Sequence, residues 1–254
     1  MMEVRDQLNR LVRIPEIPKR VISLVPSQTE LLVSLGLEDR LVGVTKFCVH
    51  PSEIRKQKAI IGGTKTYRME KIAELEPDLI IGNKEENDQE GINFLAERYP
   101  VWLSDIYTLE DNYSMISTMG KIFKVEKIAD DLNTKIKASF DTLKVEKGKA
   151  VYLIWNDPMM AAGKKTFIDH MLEKAGFENV VKTIRYPELN SAELLKLNPD
   201  YLLLSSEPFP FKQKHMDYFK ELLPNSKIRL VDGELFSWYG SRLVFASEYF
   251  QSLG

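Results

Sequence analysis

The hydrophobic pattern of the chain occurs twice. Residues 71–82 (KIAELEPDLIIG) and 193–206 (ELLKLNPDYLLLSS) each begin as a short helix with one apolar face and continue through Pro-Asp into strand-forming residues. Each follows an earlier apolar run, RVISLVPS at 20–27 and KAVYLIWND at 149–157. Because both halves share a strand–helix–strand plan, the pattern predicts two α/β lobes with a ligand site in a cleft between them.

Strands and helices alternate along the first half of the chain. The pattern predicts strands at 20–25, 40–44, 78–81 and 100–103 and helices at 28–35 and 68–75. Ser27 with Glu30 three residues later fits a capping box. We therefore expect the first helix to take Ser27 as its N-cap and to end at Gly36.

A long helical pattern links the two halves, from about 109 to 147, with a break near Val125–Glu126. Residues 127–146 contain neither glycine nor proline, and as one helix they would extend for about 30 Å. The second half then repeats the alternation of elements. It predicts strands at 149–155, 179–181, 200–204 and 228–231 and helices at 166–175, 191–197 and 241–252.

These elements define a fold class and a division of the chain. Alternating strands and helices are typical of parallel sheets with right-handed crossovers. We therefore expect an α/β protein of two Rossmann-like lobes with parallel sheets, joined by one long backbone helix, with a cleft between the lobes. The expected parts are an N-terminal extension at 1–19, an N-terminal α/β lobe at 20–124, a bridging helix at 125–147 and a C-terminal α/β lobe at 148–254.

Composition argues against several classes of protein. The 254 residues carry a formal net charge of -2 and include no block of lysine and arginine, which argues against a nucleic-acid binder. The single cysteine, Cys48, excludes an internal disulfide and a cysteine-based zinc site. The N-terminal residues lack the apolar core of a signal peptide, and no apolar run is long enough to predict a membrane span. On this basis the protein is cytoplasmic, or the sequence lacks its export signal.

Three segments of the first half, RVISLVPSQTELLVSLG, LVGVT and IGGTKTYRMEKIAELEPDLII, resemble the ABC-transporter substrate-binding proteins that have a helical backbone. In the second half, LIWNDPMMAAGKKTFIDHMLEKAGFENV, SSEPFPFKQKH and VDGELFSWYGSRL are most similar to the cobalamin-receptor-like branch of that class. The resemblance covers about residues 20–252. It implies a monomeric receptor of the periplasm or cell envelope, in which the long helix bridges two lobes that move little. It also implies a vitamin B12, ferric siderophore or haem ligand in the cleft and an ABC permease as partner.

In folds of this kind the ligand meets the loops that follow the carboxyl ends of the strands. Nine aromatic residues lie in these loops, and their flat faces suit a planar macrocycle. Arginines in the same loops are able to hold carboxylate, amide or phosphate groups at the rim of a chelate. The predicted ligand-binding residues are Phe47, Tyr67, Arg68, Trp155, Arg185, Tyr186, Phe209, Trp238, Tyr239 and Arg242.

Two alternatives to ligand binding stay open for these residues. Several of the nine aromatics, which also include Phe211 and Phe236, are suited to fill the interface between the lobes. Arg242 is equally suited to a salt bridge at the start of a helix.

Histidine is too sparse for a bare metal site. The chain has three histidines, His50, His170 and His215, whereas zinc or manganese requires three or four converging His, Asp or Glu ligands. A metal that arrives already chelated needs no such set. We therefore expect no intrinsic cofactor, no protein metal site and a bound corrinoid or iron chelate. His50 is an alternative lower axial ligand to cobalt or iron.

The resemblance also implies one docking glutamate for the permease in each lobe, at the start of the helix before the Pro-Asp strand. Glu70 stands seven residues before Pro77 and matches. The equivalent position before Pro199 is Ala192, and Glu193 is one residue away, about 100° around a helix. Glu70 and Glu193 are the predicted docking residues, and the departure at Ala192 weakens the prediction of transport.

Three functions from different classes follow. The first is capture of a metal chelate for an ABC importer, favoured by the paired lobes, the bridging helix and the aromatic loops. The second is a cytoplasmic corrinoid- or haem-binding carrier or sensor not coupled to transport, favoured by the N-terminal residues and Ala192. The third is an enzyme, but the motifs GxSxG, GxxxxGK[ST], GxGxxG and HExxH do not occur, and Asp157 before Pro158 is more typical of a structural turn than of an acid–base pair. Chelate capture, without chemistry, is the predicted function.

Overall fold

The computed structural model describes residues 1–143 and 146–253. They form two compact units. Unit 1 comprises Met1–Ile106, Glu110–Ile136 and Tyr239–Arg242, and unit 2 comprises the other described residues. Each unit is built on one sheet of mainly parallel strands. The prediction of an α/β protein with two parallel-sheet lobes is therefore confirmed.

Unit 1 contains a five-stranded parallel sheet and a separate two-stranded hairpin. Its strands are β1 (Met2–Arg5), β2 (Leu11–Ile14), β3 (Val21–Ser23), β4 (Leu41–Val44), β5 (Ala59–Ile60), β6 (Leu79–Asn83) and β7 (Val101–Ser104). Its helices are α1 (Pro26–Ser34), α2 (Ile54–Gln57), α3 (Met69–Glu74), α4 (Gln89–Ala96) and most of α5 (Leu109–Phe123) and α6 (Glu126–Asp141). The parallel strands have the order β5-β4-β3-β6-β7, so the chain order reverses at β3.

Unit 2 repeats this plan. Its strands are β8 (Gly148–Asn156), β9 (Met159–Ala161), β10 (Phe177–Asn179), β11 (Tyr201–Ser205) and β12 (Lys227–Val231). Its helices are α7 (Phe167–Lys174), α8 (Ser191–Leu197), α9 (Gln213–Leu222), α10 (Glu234–Ser237) and α11 (Leu243–Ser252). The parallel order is β10-β8-β11-β12, with β9 antiparallel to β8, so the chain order reverses at β8. In open α/β sheets, ligands bind outside the carboxyl ends of the strands at such reversals.

The buried faces of both sheets supply the core. Ile22, Leu24 and Ile80 are fully buried in unit 1, and Leu153 and Leu204 are fully buried in unit 2. Strands covered on both faces consist of continuous apolar runs, which is why the sequence indicated them clearly. None of the helices in the described part of the chain is both long and apolar enough to cross a membrane.

The first helix begins two residues earlier than predicted. Pro26 is its first residue and Val25 its N-cap, with no side-chain hydrogen bond at the cap, so the capping box predicted at Ser27 is wrong. Proline has a φ angle suited to the first helical position and no N–H that needs a partner there. The helix ends as predicted, with Gly36 in the left-handed region at φ 76°.

The helical linker is interrupted where predicted. Helix α5 ends at Phe123 and α6 begins at Glu126, with Lys124 between them at φ 57°. Helix α6 has 16 residues and ends at Asp141, so it is shorter than the predicted bridging helix of 125–147. Residues 144 and 145 of that prediction lie outside the described part of the chain.

The predicted N-terminal extension is partly a hairpin that belongs to unit 1. Strands β1 and β2 pair antiparallel, and the turn between them bonds to β7, where the amide of Gln7 donates to the carbonyl of Leu103 (3.0 Å). The indole of Trp102 donates to the carbonyl of Arg5 (3.2 Å). These bonds attach the hairpin to the last strand of the sheet.

Candidate functional site

Unit 1 contains a surface pocket at the carboxyl ends of β4 and β5. Its volume is about 480 Å³. Lys46 and Phe47, which follow β4, form one side, and the turn between β5 and α3 forms the other. The lining residues are Lys46, Phe47, Gly62, Gly63, Thr64, Lys65, Thr66 and Arg68.

The turn is held by three backbone hydrogen bonds. The amide of Lys46 donates to Gly62 (2.8 Å), that of Gly63 to Thr66 (2.8 Å) and that of Arg68 to Ile61 (2.8 Å). Gly62 has a φ angle of 117°, and a Cβ atom there would overlap the carbonyl oxygen of Thr66. Glycine is therefore required at this position for the turn to close.

The side chains around the pocket are cationic and aromatic. Phe47 is 50% exposed, and the ammonium of Lys46 lies 5.0 Å from the centroid of its ring. Arg68 is the N-cap of α3 but makes no side-chain cap bond. Cys48, the residue after Phe47, is fully buried, and burial raises the pKa of its thiol. The predictions for Phe47 and Arg68 thus place both beside one pocket, whereas Lys46 and Lys65 were missed.

Tyr67 lies outside this pocket lining. Its hydroxyl donates to the carbonyl of Thr64 (2.7 Å), which also accepts a bond from the side-chain amide of Asn87 (2.7 Å). A Cβ atom at Gly91 would lie 2.5 Å from its ring, so the ring packs closely against α4. Burial, and then the carboxylate of Asp88, raise the pKa of Tyr67. In this position Tyr67 supports the turn, and its role as a stacking residue stays a prediction.

Two further predicted residues of unit 1 are occupied by internal contacts. Tyr239 is 5% exposed, and burial raises the pKa of its hydroxyl. The guanidinium of Arg242 makes two bonds to the carboxylate of Glu30, each 2.8 Å long. Because Arg242 precedes α11, this is the salt bridge at a helix start that was the alternative interpretation. Ligand contact by either residue stays a prediction.

His50 is half-buried on the loop after β4. Within residues 1–143 and 146–253, no group of three or more His, Cys, Asp or Glu residues is arranged to hold a metal ion. Axial ligation by His50 stays a prediction.

In unit 2, aromatic side chains meet where the chain order of the sheet reverses. Trp155 lies at the end of β8 and Phe209 follows β11, and these strands are neighbours. Their ring centroids are 5.6 Å apart at an interplanar angle of 64°. Phe209 also lies 4.8 Å from Phe211 and 5.3 Å from His215. We call Trp155, Phe209 and His215 the aromatic face of unit 2.

The members of this cluster differ in exposure. Trp155 is 38% exposed, and its indole donates to the carbonyl of Asp157 (3.0 Å). Phe211 is 5% exposed and packs in the core, and Phe236 is fully buried. Position after a strand therefore identified the aromatics but not the direction in which each side chain points.

Arg185 and Tyr186 are consecutive residues on the segment between β10 and α8. The guanidinium of Arg185 lies 5.6 Å from the ring centroid of Tyr186 and donates to the carbonyl of Lys165 (3.4 Å). The amide of Arg185 donates to Lys164 (2.8 Å). The two residues thus form a cation–π pair, and their contact with a ligand stays a prediction.

Trp238 is bonded to a carboxylate that sequence reasoning missed. Its indole donates to Oε1 of Glu207 (2.8 Å), and the hydroxyl of Ser237 donates to the same oxygen (2.8 Å). Burial raises the pKa of Glu207, and the charges of Glu234 and Asp232 add to this, although the two hydrogen bonds oppose it. No motif marks Glu207, because its partners lie about 30 residues away in the chain.

The raised pKa of Glu207 predicts a pH-dependent stability. The folded state binds the Glu207 proton more tightly than the unfolded state. The stability that this proton contributes is therefore present at low pH and is lost as pH rises through the raised pKa. In Glu207→Gln the amide oxygen still accepts both bonds and no charge forms. We expect the unfolding temperature of Glu207→Gln to exceed that of the wild type more at pH 8 than at pH 4, in scanning calorimetry.

Glu173→Gln is the matched control, because it removes an exposed carboxylate of the same unit. A gap between Glu207→Gln and the wild type that stays constant with pH, or that follows the Glu173→Gln gap, would contradict the assignment.

The predicted docking glutamates differ in their surroundings. Glu70 is exposed in the first turn of α3. Glu193 is also exposed, but its carboxylate accepts a bond from the amide of Asn190 (2.8 Å) while Asn190 accepts one from the amide of Glu193 (2.9 Å). This capping box fixes the start of α8 and accounts for a glutamate one residue after Ala192.

Comparison with known proteins places these features in a family. The family profile described as "Periplasmic binding protein" matches residues 21–222. An ABC transporter substrate-binding lipoprotein of Bacillus subtilis, YvrC, which is described as uncharacterized, is 26% identical over 263 residues, covering 95% of this chain and 81% of that protein. The vitamin B12-binding protein of Pectobacterium atrosepticum is 24% identical over 245 residues, covering 91% of this chain and 87% of that protein.

Solved structures share the fold. The periplasmic haem-binding protein RhuT of Roseiflexus sp. RS-1 superposes with a TM-score of 0.78 at 20% identity, covering 92% of this chain and 98% of that one. At this identity the likeness concerns the fold alone.

Proposed function

Because this chain belongs to the periplasmic binding protein family, we propose that it captures a metal chelate for an ABC importer of the cell envelope. The chelate would be a corrinoid such as vitamin B12, a ferric siderophore or haem. Membership of a family of binding proteins confirms the prediction that the chain is a binding protein and not an enzyme. Relatives named for vitamin B12 and haem support the ligand class.

The observation that carries the proposal is the aromatic face of unit 2. Trp155 and Phe209 meet at the carboxyl ends of adjacent strands, where ligands bind in open α/β sheets. Trp155 keeps 38% of its surface exposed although it is large and apolar. An exposed indole edged by a phenyl ring offers a flat macrocycle a stacking surface with few rotatable bonds to immobilise.

Tryptophan fluorescence tests the ligand class. The purified protein is titrated with cyanocobalamin, haemin and a panel of ferric siderophores, with correction for inner-filter absorption. Saturable quenching at micromolar or lower concentration by one class identifies that class. Trp155 and Trp238 are the tryptophans expected to report binding, because the third, Trp102, is fully buried. Absence of saturable binding by every chelate would overturn the proposal.

Trp155→Ala is expected to weaken binding of the quenching chelate by about 1–3 kcal/mol, as for loss of an aromatic anchor. Isothermal titration calorimetry measures the affinity without relying on the removed fluorophore. Phe245→Ala is the control, because Phe245 is 59% exposed on α11 and outside the aromatic face. Trp238→Ala is less suited, since it also removes one of the two donors to the carboxylate of Glu207. Equal affinity of Trp155→Ala and Phe245→Ala would remove Trp155 from the site.

A carrier or sensor without transport is the second candidate, and one observation favours it. The carboxylate of Glu193 is engaged in the capping box of α8, and Ala192 stands at the predicted docking position. Chelate uptake into cells that carry Glu70→Ala or Glu193→Ala separates the candidates. Loss of uptake with retained chelate affinity supports transport, and cells lacking the protein that take up chelate at the wild-type rate would favour the carrier.

A further inference from the structure

We infer that the pocket of unit 1 selects chelates that carry negative charge, such as those with carboxylate or catecholate oxygens. This inference rests on the proposed function and names the ligand class more narrowly. Three of the eight lining residues, Lys46, Lys65 and Arg68, are cationic, and none is acidic. Arg55 adds a fourth positive charge nearby, since its guanidinium donates to the carbonyl of Lys46 (3.2 Å).

The positive charge of this pocket is not balanced by ion pairs with carboxylates of the described residues. Among the described residues, no carboxylate forms an ion pair with Lys46, Lys65 or Arg68, although the chain as a whole carries a net charge of -2. Lysines on the neighbouring short helices do have partners: Lys56 pairs with Glu53 (2.9 Å) and Lys71 with Glu74 (2.7 Å). The three cations of the pocket differ from these two lysines in having no such partner among the described residues.

The positive charges around this cavity repel one another, and together they give the cavity a positive potential. A ligand with negative groups relieves that repulsion, and each bond it accepts from a cation is stronger than a bond between neutral groups. A chelate with only amide groups at its rim forms neutral acceptor bonds and gains no such relief. The pocket therefore discriminates between ligands of the same shape by their charge.

The positions of the groups indicate the form of the ligand. Arg68 presents a planar fork that matches a carboxylate or a pair of adjacent oxygens, and the lysines act as point charges. The exposed ring of Phe47 beside Lys46 provides an apolar surface next to the charges. The pocket volume, about 480 Å³, lies in the range of small-molecule sites. A chelate that joins an apolar ring to anionic oxygens fits this combination.

Matched chelates test the inference. One pair is cyanocobalamin and its derivative with three side-chain amides hydrolysed to carboxylates. The other is a neutral ferric trihydroxamate and an anionic ferric tris-catecholate. In calorimetric titrations we expect the anionic member of at least one pair to bind about ten-fold more tightly or better, with the gap decreasing as salt is raised.

Charge-neutralising variants locate the effect. Lys65→Gln combined with Arg68→Gln should weaken binding of the anionic member about ten-fold and change that of the neutral member little. Lys71→Gln is the control, because Lys71 is paired with Glu74 and lies outside the pocket. Unfolding temperatures near that of the wild type establish that these surface variants are folded.

The outcomes separate this inference from the proposed function. Neutral chelates that bind as tightly as their anionic partners would overturn the inference and leave chelate capture standing. Anionic binding that Lys65→Gln with Arg68→Gln does not weaken would also overturn it. Absence of saturable binding by all four chelates and by haemin would overturn both.

Discussion

Replacement of Arg242 by alanine is expected to lower the free energy of unfolding by about 3 kcal/mol. The arginine makes a two-pronged ion pair with Glu30, with two bonds of 2.8 Å. The side chains of Arg242 and Glu30 are only 13% and 16% exposed. Removal of the arginine therefore leaves a poorly solvated carboxylate without its partner. Urea denaturation followed by circular dichroism measures the loss.

Arg13→Ala provides the matched control. Arg13 also pairs with a glutamate, Glu3, at 2.8 Å, but the two side chains are 75% and 50% exposed. Solvent screens such a pair, so its loss should cost less than about 1 kcal/mol. A double-mutant cycle of Glu30→Ala and Arg242→Ala should return a coupling energy of more than about 1 kcal/mol. Equal losses in Arg13→Ala and Arg242→Ala would contradict the assigned role.

The same variant distinguishes the two interpretations of Arg242. If the residue serves only the ion pair, Arg242→Ala loses stability but binds the chelate with wild-type affinity at a temperature where it is folded. If the residue also contacts the ligand, affinity falls together with stability. The sequence left both interpretations open because it did not reveal that Glu30, far away in the chain, is the partner.

Much of the fold was predictable because its signals are local. Both parallel sheets, the end of α1 at Gly36 and the interruption between α5 and α6 follow from apolar runs, glycine and helical period. Helix α4 was missed, since it is short and contains Gly91, a weak helix former. Strands β1 and β2, four residues each, were missed because so short an alternation carries little signal.

The candidate site was predictable in composition but not in geometry. The rule that ligands meet strand ends selected Phe47, Trp155 and Phe209, which are exposed or half-buried at the ends of strands. Their contact with a ligand stays a prediction. It also selected Phe236 and Tyr239, which are buried, because position along a strand end does not fix side-chain direction. The basic pocket was predicted only in part, because Phe47 and Arg68 were among the predicted residues and Lys46 and Lys65 were not. Its cations are spread over residues 46–68 and converge only because the turn at Gly62 closes.

Because the pocket depends on the turn at Gly62, we expect Gly62→Ala to have a large effect. The backbone at Gly62 has φ 117°, where a side chain is strained, and the added methyl group would overlap the carbonyl oxygen of Thr66. Relief requires the turn to open, which breaks the bonds of Gly62 with Lys46 and of Gly63 with Thr66. We expect the free energy of unfolding to fall by more than about 2 kcal/mol. Affinity for an anionic chelate should fall as well, because Lys65 and Arg68 leave their positions beside Lys46.

Gly36→Ala separates backbone strain from overlap. Gly36 also has a positive φ angle, 76°, but a Cβ atom there would meet nothing within 4 Å. Its replacement should therefore cost only the strain of the left-handed conformation, about 1–2 kcal/mol, and leave chelate affinity unchanged. Urea denaturation and calorimetric titration of both variants measure the two quantities. If Gly62→Ala and Gly36→Ala lost the same stability and both bound chelate normally, the close approach at Thr66 would not be what holds the pocket together. A selective loss of binding in Gly62→Ala would show that one backbone conformation brings the three cations to a single site.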